Sequence, residues 1–318
     1  MTTTPLMQLE RWLEGQIIGQ KDLIHKLLIA LLADGHLLVE GAPGLAKTRA
    51  IKQMSEGIEG SFHRIQFTPD LLPGDVTGTD IFRPQQGVFE FQQGPIFNNL
   101  ILADEINRAP AKVQSALLEA MAERQVSIGT RTYPLPPLFL VMATQNPIEQ
   151  EGTYPLPEAQ LDRFLMQVNV TYPDAAAETQ ILRLARNEAT GTAPPAPARI
   201  SEAAIEGARK EVLALHMAPA VEEYIVQLVM ATRSPTSYDS ELAQWLEFGA
   251  SPRATIALDR CARANAFLHG RDYVSPDDVQ AVATDCLKHR LIISFEAEAA
   301  GVTSEQVIER LLSIVPVG

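Results

Sequence analysis

Cysteine is scarce in this chain, with only Cys261 and Cys286 among 318 residues. The two are far apart and lack a CxxC spacing, which excludes a disulfide framework and argues against a zinc site, so both read as reduced core thiols. No run of 18 or more apolar residues is present, which removes any candidate membrane span. The start, Met1-Thr2-Thr3-Thr4-Pro5, has neither the basic region nor the apolar stretch of a secretory signal. A cytoplasmic location is therefore expected. Positive charge is also short: 26 Lys and Arg against 39 Asp and Glu leave a formal net charge of −13. Gripping a phosphate backbone needs clustered cations and counterion release, so nucleic acid is a disfavoured partner. What remains is ordinary globular composition, 46% hydrophobic and 20% charged, at a length that suits two domains.

The most informative stretch is Gly41-Ala42-Pro43-Gly44-Leu45-Ala46-Lys47-Thr48. It follows the short apolar run His36-Leu37-Leu38-Val39-Glu40 and precedes Arg49-Ala50-Ile51-Lys52-Gln53-Met54, which suits a helix. Strand, glycine-bearing turn and helix form the context of a phosphate-binding loop. Amides at a helix N-terminus are unpaired and partly positive, so an anion there satisfies several donors together. Lys47 would reach the β- and γ-phosphates of ATP, and the Thr48 hydroxyl would ligate Mg²⁺. Arg49 adjoins this cofactor-contacting set. The strict pattern has Gly where this chain has Ala46. That residue lies where the helix begins, so right-handed helical geometry is expected there, and Ala adopts it without strain. The alternative is a Gly/Pro turn with an exposed lysine.

Other segments arrange themselves around this one. Leu23, Ile24, Leu27, Leu28, Leu31 and Leu32 predict a one-sided helix, and residues 61–67 a second strand. Between 81 and 91, two alternating runs around Pro84-Gln85-Gln86-Gly87 fit either a hairpin or a surface loop, and 125–133 predicts another hairpin turning at Gly129-Thr130. Asn99-Leu100-Ile101-Leu102-Ala103 reads as a buried parallel strand whose C-terminal edge carries Asp104 and Glu105. Asp104 would hold Mg²⁺ through water and Glu105 would orient and polarise the attacking water; a helix cap is the bland alternative. Residues 138–143 form a further strand, leading to Asn146 at the same edge. Its amide would hold the hydrolytic water or the γ-phosphate, or else form an ordinary Asn-Pro turn. A last core strand spans 165–170. After Tyr172-Pro173 strands largely disappear, and residues 189–198, rich in Pro and Ala, read as an extended connector. Ser275-Pro276-Asp277-Asp278 and Ser251-Pro252-Arg253 are helix starts. Arg253 puts a cation at the positive end of a helix, which suits either a phosphate across a cleft or a surface carboxylate.

Taken in order, these motifs make the chain resemble the AAA+ ATPases and, more narrowly, the MoxR family. The resemblance rests on residues 41–48, Leu102 to Pro110, Ala143 to Pro147 and Glu158-Ala159-Gln160-Leu161-Asp162-Arg163-Phe164, and runs from about Ile17 to about Arg290. It implies an α/β fold: an αβα phosphate-loop core with a parallel sheet over residues 1–173, then a smaller all-helical lid over 174–318. Residues 41–48 would be Walker A, Asp104 and Glu105 Walker B, Asn146 sensor 1, Arg163 the arginine finger and Arg253 sensor 2. Ile17, Ile18 and Gly19 would lie near the adenine. The hairpins would face the pore of a ring. The resemblance further implies a homo-oligomer, a hexamer, acting on client proteins, often beside a partner with a von Willebrand factor A domain. The rival readings are a nucleic-acid-stimulated motor and a nucleotide-regulated scaffold with little turnover.

Overall fold

A computed structural model describes residues 3–85, 87–147, 152–192 and 194–317. Gln86 of the first turn, Ala193 of the connector, and Met1, Thr2 and Gly318 lie outside that set. Five strands form one parallel sheet in the order β2-β5-β8-β1-β9: β1 is Leu37–Glu40, β2 Phe62–Gln66, β5 Leu100–Asp104, β8 Leu140–Gln145 and β9 Met166–Asn169. Hairpins β3 (Gly78–Arg83) with β4 (Val88–Gln93) and β6 (Gln125–Ile128) with β7 (Arg131–Pro134) stand apart from it. The alternating run at 81–91 is thus a hairpin rather than a loop.

Side chains alternate across a strand, and both faces of this sheet are covered. Leu37 and Val39 enter one core while Leu38 enters the other; Leu100 and Leu102 part in the same way from Ile101 and Ala103. The second core is closed by α5 (Ala111–Glu123), with the short α4 (Pro73–Thr77) nearby. The first is covered by α1 (Thr3–Gln16), α2 (Lys21–Leu32) and α3 (Lys47–Glu56), and then by the helical half of the chain. After the short α6 (Glu158–Leu161), that half comprises α7 (Ala175–Ala189), α8 (Glu202–Ala214), α9 (Pro219–Arg233), α10 (Ser240–Trp245), α11 (Pro252–Leu268), α12 (Pro276–Leu287), α13 (Phe295–Ala299) and α14 (Ser304–Ile314), and the expected all-helical lid also carries two short ladders, His216–Met217 with Tyr273–Val274 and Leu246–Phe248 with Ile292–Ile293.

This layering explains a departure from the sequence reading. Helix α2 is not one-sided: Lys26, Ile29 and Ala30 are buried along with the predicted stripe. It lies between the sheet and α8 and α11, so beyond its first turn, where Lys21 and Asp22 are exposed, little of it meets solvent, and Lys26 is accommodated by donating to Ala281 O at 2.8 Å and pairing with Asp285 at 3.0 Å. Cys261 and Cys286 meet where α11 packs on α12; both are buried, and burial pushes the Cys261 thiol well up, which keeps it unreactive. No helix among the described residues is long and apolar enough to cross a membrane.

Buried histidine gives the fold a pH dependence. His36 Nδ1 accepts from Val141 N at 3.1 Å while Nε2 faces Met121 O at 3.4 Å, an arrangement only the neutral ring satisfies. Burial, then Arg124, push its pKa down to about 3. Between that value and the ordinary one near 6.5, the unfolded chain binds a proton the folded chain refuses, so stability falls as pH drops through this window. At pH 5 the loss from His36 is about 2 kcal/mol. His289, buried beside Arg290 and also lowered, adds to it with the same sign. Thermal unfolding at pH 7 and pH 5 checks this, and His36→Asn should flatten the profile.

Candidate nucleotide site at the carboxyl edge of the sheet

The loop between β1 and α3 begins at Gly41, where a Cβ would sit 2.6 Å from Val170 O, so only glycine allows the approach of the backbone just beyond β9. Gly44 follows at φ +84, a left-handed geometry that glycine adopts freely. Ala46 overturns an expectation. It stands just before α3 at φ 59 and ψ 15, left-handed rather than right-handed helical, because the chain must turn before its first helical residue. A Cβ there costs roughly 1–2 kcal/mol. Ala46→Gly should therefore raise stability by roughly 0.5–1 kcal/mol once glycine's greater unfolded-state freedom is subtracted. A higher denaturant midpoint with an unchanged slope is the expected result.

The turn leaves donors exposed. The amides of Gly44 through Arg49 make no hydrogen bond to any described residue; the first α3 amide to find a backbone acceptor is Ala50 N, on Ala46 O at 2.9 Å. Lys47 does not point to solvent. It is buried, with Nζ donating to Gly41 O and, at 3.3 Å, to Gln145 O at the end of β8. Burial lowers its pKa, opposed by Asp104, Glu105 and Glu40, so the ammonium already faces these acids and gains further from an anion.

Asp104 closes β5 and is buried, accepting from Thr144 Oγ1 at 2.6 Å and from Arg64 Nη2 at 2.6 Å and Nε at 3.0 Å. Glu105 leaves the strand at φ 57, its amide on Thr144 Oγ1 at 2.9 Å. Its carboxylate accepts from Gln66 Nε2 at 2.9 Å and lies 3.3 Å from Arg108. Asn146, also buried, follows β8 at this edge. Among the described residues no group of three or more His, Cys, Asp or Glu gathers to hold a metal by itself. The Thr48 hydroxyl and the Asp104 carboxylate are hard oxygen donors, the sparse set that suits Mg²⁺ carried largely by phosphates and water.

The turn holding Ile17, Ile18 and Gly19 adjoins the loop. Arg49 Nε donates to Gln16 O at 2.8 Å and pairs with Glu188 of α7, while Gln20 Nε2 donates to Thr171 O at 3.0 Å, just beyond β9. Ile17 is buried in the core, Ile18 half-buried and Gly19 exposed.

The structure does not bring Arg163 and Arg253 to this edge. Both line a cavity with Gly35, His36 and Leu165, which precede β1 and β9, so they lie at the amino edge of the sheet. At about 3.3 Å per residue, a strand length of roughly 13 Å separates the edges. Of the two readings of Arg253, the carboxylate is the one met within the chain: its Nη1 is 3.9 Å from Asp162 Oδ2. Asp162 does not pair with Arg163. It accepts from Ser251 Oγ at 2.8 Å and Arg290 Nε at 2.9 Å, and Arg163 Nη1 donates instead to Leu118 O at 2.8 Å. Sequence reasoning missed Arg64, Gln66 and Thr144. Arg64 and Gln66 lie on edge strand β2, where alternating polar residues look like a solvated face.

Comparison with known proteins agrees with this architecture. Residues 36–166 match the ATPase family associated with various cellular activities (AAA), and residues 241–311 match the AAA lid domain. The chain is 48% identical over 301 residues to the chaperone MoxR1 of Mycobacterium tuberculosis, spanning 94% of this chain and 78% of that one. It is 34% identical to the protein MoxR of Paracoccus denitrificans, over 90% of this chain and 88% of that one. A crystal structure from Cytophaga hutchinsonii superposes with a TM-score of 0.92 at 46% identity, over 100% of this chain and 96% of that one. Similarity this extensive, through both the sheet and the helical half, places the chain in the MoxR family of AAA+ ATPases.

Proposed function

We propose that the chain is a Mg·ATP-dependent ATPase that works as a homo-oligomeric ring, with a hexamer expected, and that its turnover remodels or matures client proteins in the cytoplasm. The observation that carries the reading is the row of unpaired amides from Gly44 to Arg49 beside buried Lys47, opposite Asp104 and Glu105. A triphosphate seated there satisfies those amides, and Lys47 adds a charge-assisted bond to its outer oxygens. Thr48 and Asp104 would hold Mg²⁺, which neutralises charge on the β- and γ-oxygens when bound. Glu105 takes the proton of the attacking water, and Asn146 holds that water or the γ-phosphate in line.

Arg163 and Arg253 lie a strand length from their own loop, so they act on a phosphate only when a neighbouring copy supplies it. That requirement supports the ring. A head-to-tail contact closes into a ring when its rotation closes, and a ring in which the amino edge of one copy faces the carboxyl edge of the next would bring these arginines to a neighbour's phosphate. The hairpins suit contact with a client: Phe82 and Phe89 are exposed on the first, and Phe91 stacks on Tyr133 of the second at 4.1 Å, which couples the two. The chaperone name of the Mycobacterium tuberculosis relative points to the same class of work.

Titration with a fluorescent ATP analogue tests the site. Wild type should bind, and Lys47→Ala should lose at least roughly tenfold in affinity, since a hydrogen bond to a charged group contributes roughly 1.5–3 kcal/mol. Equal affinity in the variant would refute the assignment.

A further inference from the structure

The amino-edge cavity, about 310 Å³, is more cationic than its partners require. Arg124, Arg163, Arg253, Arg260 and Arg290 line it against only Asp34 and Asp162, in a chain whose net charge is −13. Two guanidinium groups are neutralised in place: Arg124 donates to Asp34 Oδ1 at 2.8 Å, and Arg290 to Asp162 Oδ1 at 2.9 Å. Arg253 reaches an Asp162 already shared with Arg290 and Ser251, and Arg163 gives one donor to a carbonyl. Arg260 is different. Half-buried and two turns along α11 from Arg253, it makes no hydrogen bond or ion pair with any described residue. The positional logic is helical, because residues 253, 256, 257 and 260 line one face of α11 toward the cavity. Converging cations in a half-buried concavity repel one another, and an arrangement of this kind is stabilised by an anion from outside.

We propose that Arg260 is a third arginine which, with Arg163 and Arg253, faces the triphosphate held on the phosphate loop of an adjacent copy of this chain. The inference rests on the ring reading given above. It extends that reading, because neither the sequence motifs nor the family resemblance gives Arg260 a role. A second copy is the favoured source of the anion: the cavity lies on the amino edge, away from its own loop, and in the ring proposed above that edge meets the carboxyl edge of the next copy.

The test uses the full-length protein and measures phosphate release, nucleotide affinity and melting temperature for R260A, R260K and, as a reference, R163A. Turnover of R260A should fall at least tenfold while affinity for an ATP analogue stays within about twofold, and R260K should fall between R260A and wild type. A purely structural residue would lower the melting temperature; removal of an unpaired cation should leave it unchanged or raised. Mixing R260A with K47A should raise turnover above the sum of the two variants alone, because the K47A copy offers an intact Arg260 to an intact neighbouring loop. Turnover of R260A within twofold of wild type, alongside an inactive R163A, would overturn the role of Arg260 and leave the ring reading standing. An inactive R260A with no rescue on mixing would overturn action across the interface. Full activity in R163A would remove the ring reading, and this inference with it.

Discussion

Glu105→Gln should hold ATP with near wild-type affinity and turn it over roughly two to four powers of ten more slowly, the range by which a positioned base accelerates a proton transfer. The geometry favours a clean loss of chemistry. The backbone of Glu105 is fixed at φ 57 by its amide on Thr144 Oγ1 at 2.9 Å, a contact the substitution leaves alone. Its side chain accepts from Gln66 Nε2 at 2.9 Å, which an amide oxygen can still do. The variant therefore keeps the shape of the site and loses the proton acceptor, together with a partly exposed pair to Arg108 at 3.3 Å that contributes little to stability. Thr144 also donates to Asp104 Oδ1 at 2.6 Å, so one hydroxyl keeps both acids in register while the neighbouring residue changes. Parallel measurement of ATP affinity and steady-state phosphate release decides the matter: turnover within tenfold of wild type would remove Glu105 from the chemistry. The same variant, holding ATP without spending it, suits capture of client proteins for identification.

The sheet and the loop were legible in the sequence because parallel strands buried on both faces are written as unbroken apolar runs. Leu100 to Ala103 and Leu138 to Ala143 could hardly be anything else, and each ends in the polar residues that mark the carboxyl edge. Helix α1 escaped notice although Leu6, Leu9 and Leu13 carry its spacing and are buried. The signal was present. The burial of α2 beyond its first turn was not readable, because it depends on α8 and α11 arriving from far along the chain. Nor was the left-handed turn at Ala46, since composition does not report which side of a helix start a residue occupies. Arg64 had no signal at all. Charged residues on an alternating strand are the ordinary mark of a solvent face, and only the pairing of β2 with β5 brings Arg64 onto Asp104. Most consequentially, a linear motif gives the order of Arg163 and Arg253 but not the edge of the sheet they occupy.

That placement supports the second large effect, expected for Arg163→Ala: turnover should fall by roughly three to five powers of ten, the range for an arginine delivered onto a transferring phosphoryl group, while ATP binding by the single chain is spared. The sparing follows from position. Nothing at the loop touches Arg163, and its removal costs the fold only the bond to Leu118 O at 2.8 Å. The segment itself is held by Arg290, which is buried and donates to Leu165 O at 3.1 Å and to the backbone of Asp162 at 3.2 Å, so the helical half fixes where Arg163 points. Two further consequences separate this account from a structural role. Turnover per chain in wild type should rise steeply with protein concentration as copies associate, and Arg163→Ala should show no such rise. Mixing Arg163→Ala with Lys47→Ala should recover activity, since one contributes the loop and the other the guanidinium. If wild-type turnover per chain is independent of concentration down to a sedimenting monomer, the arginine works within its own chain and a ring is not required for catalysis.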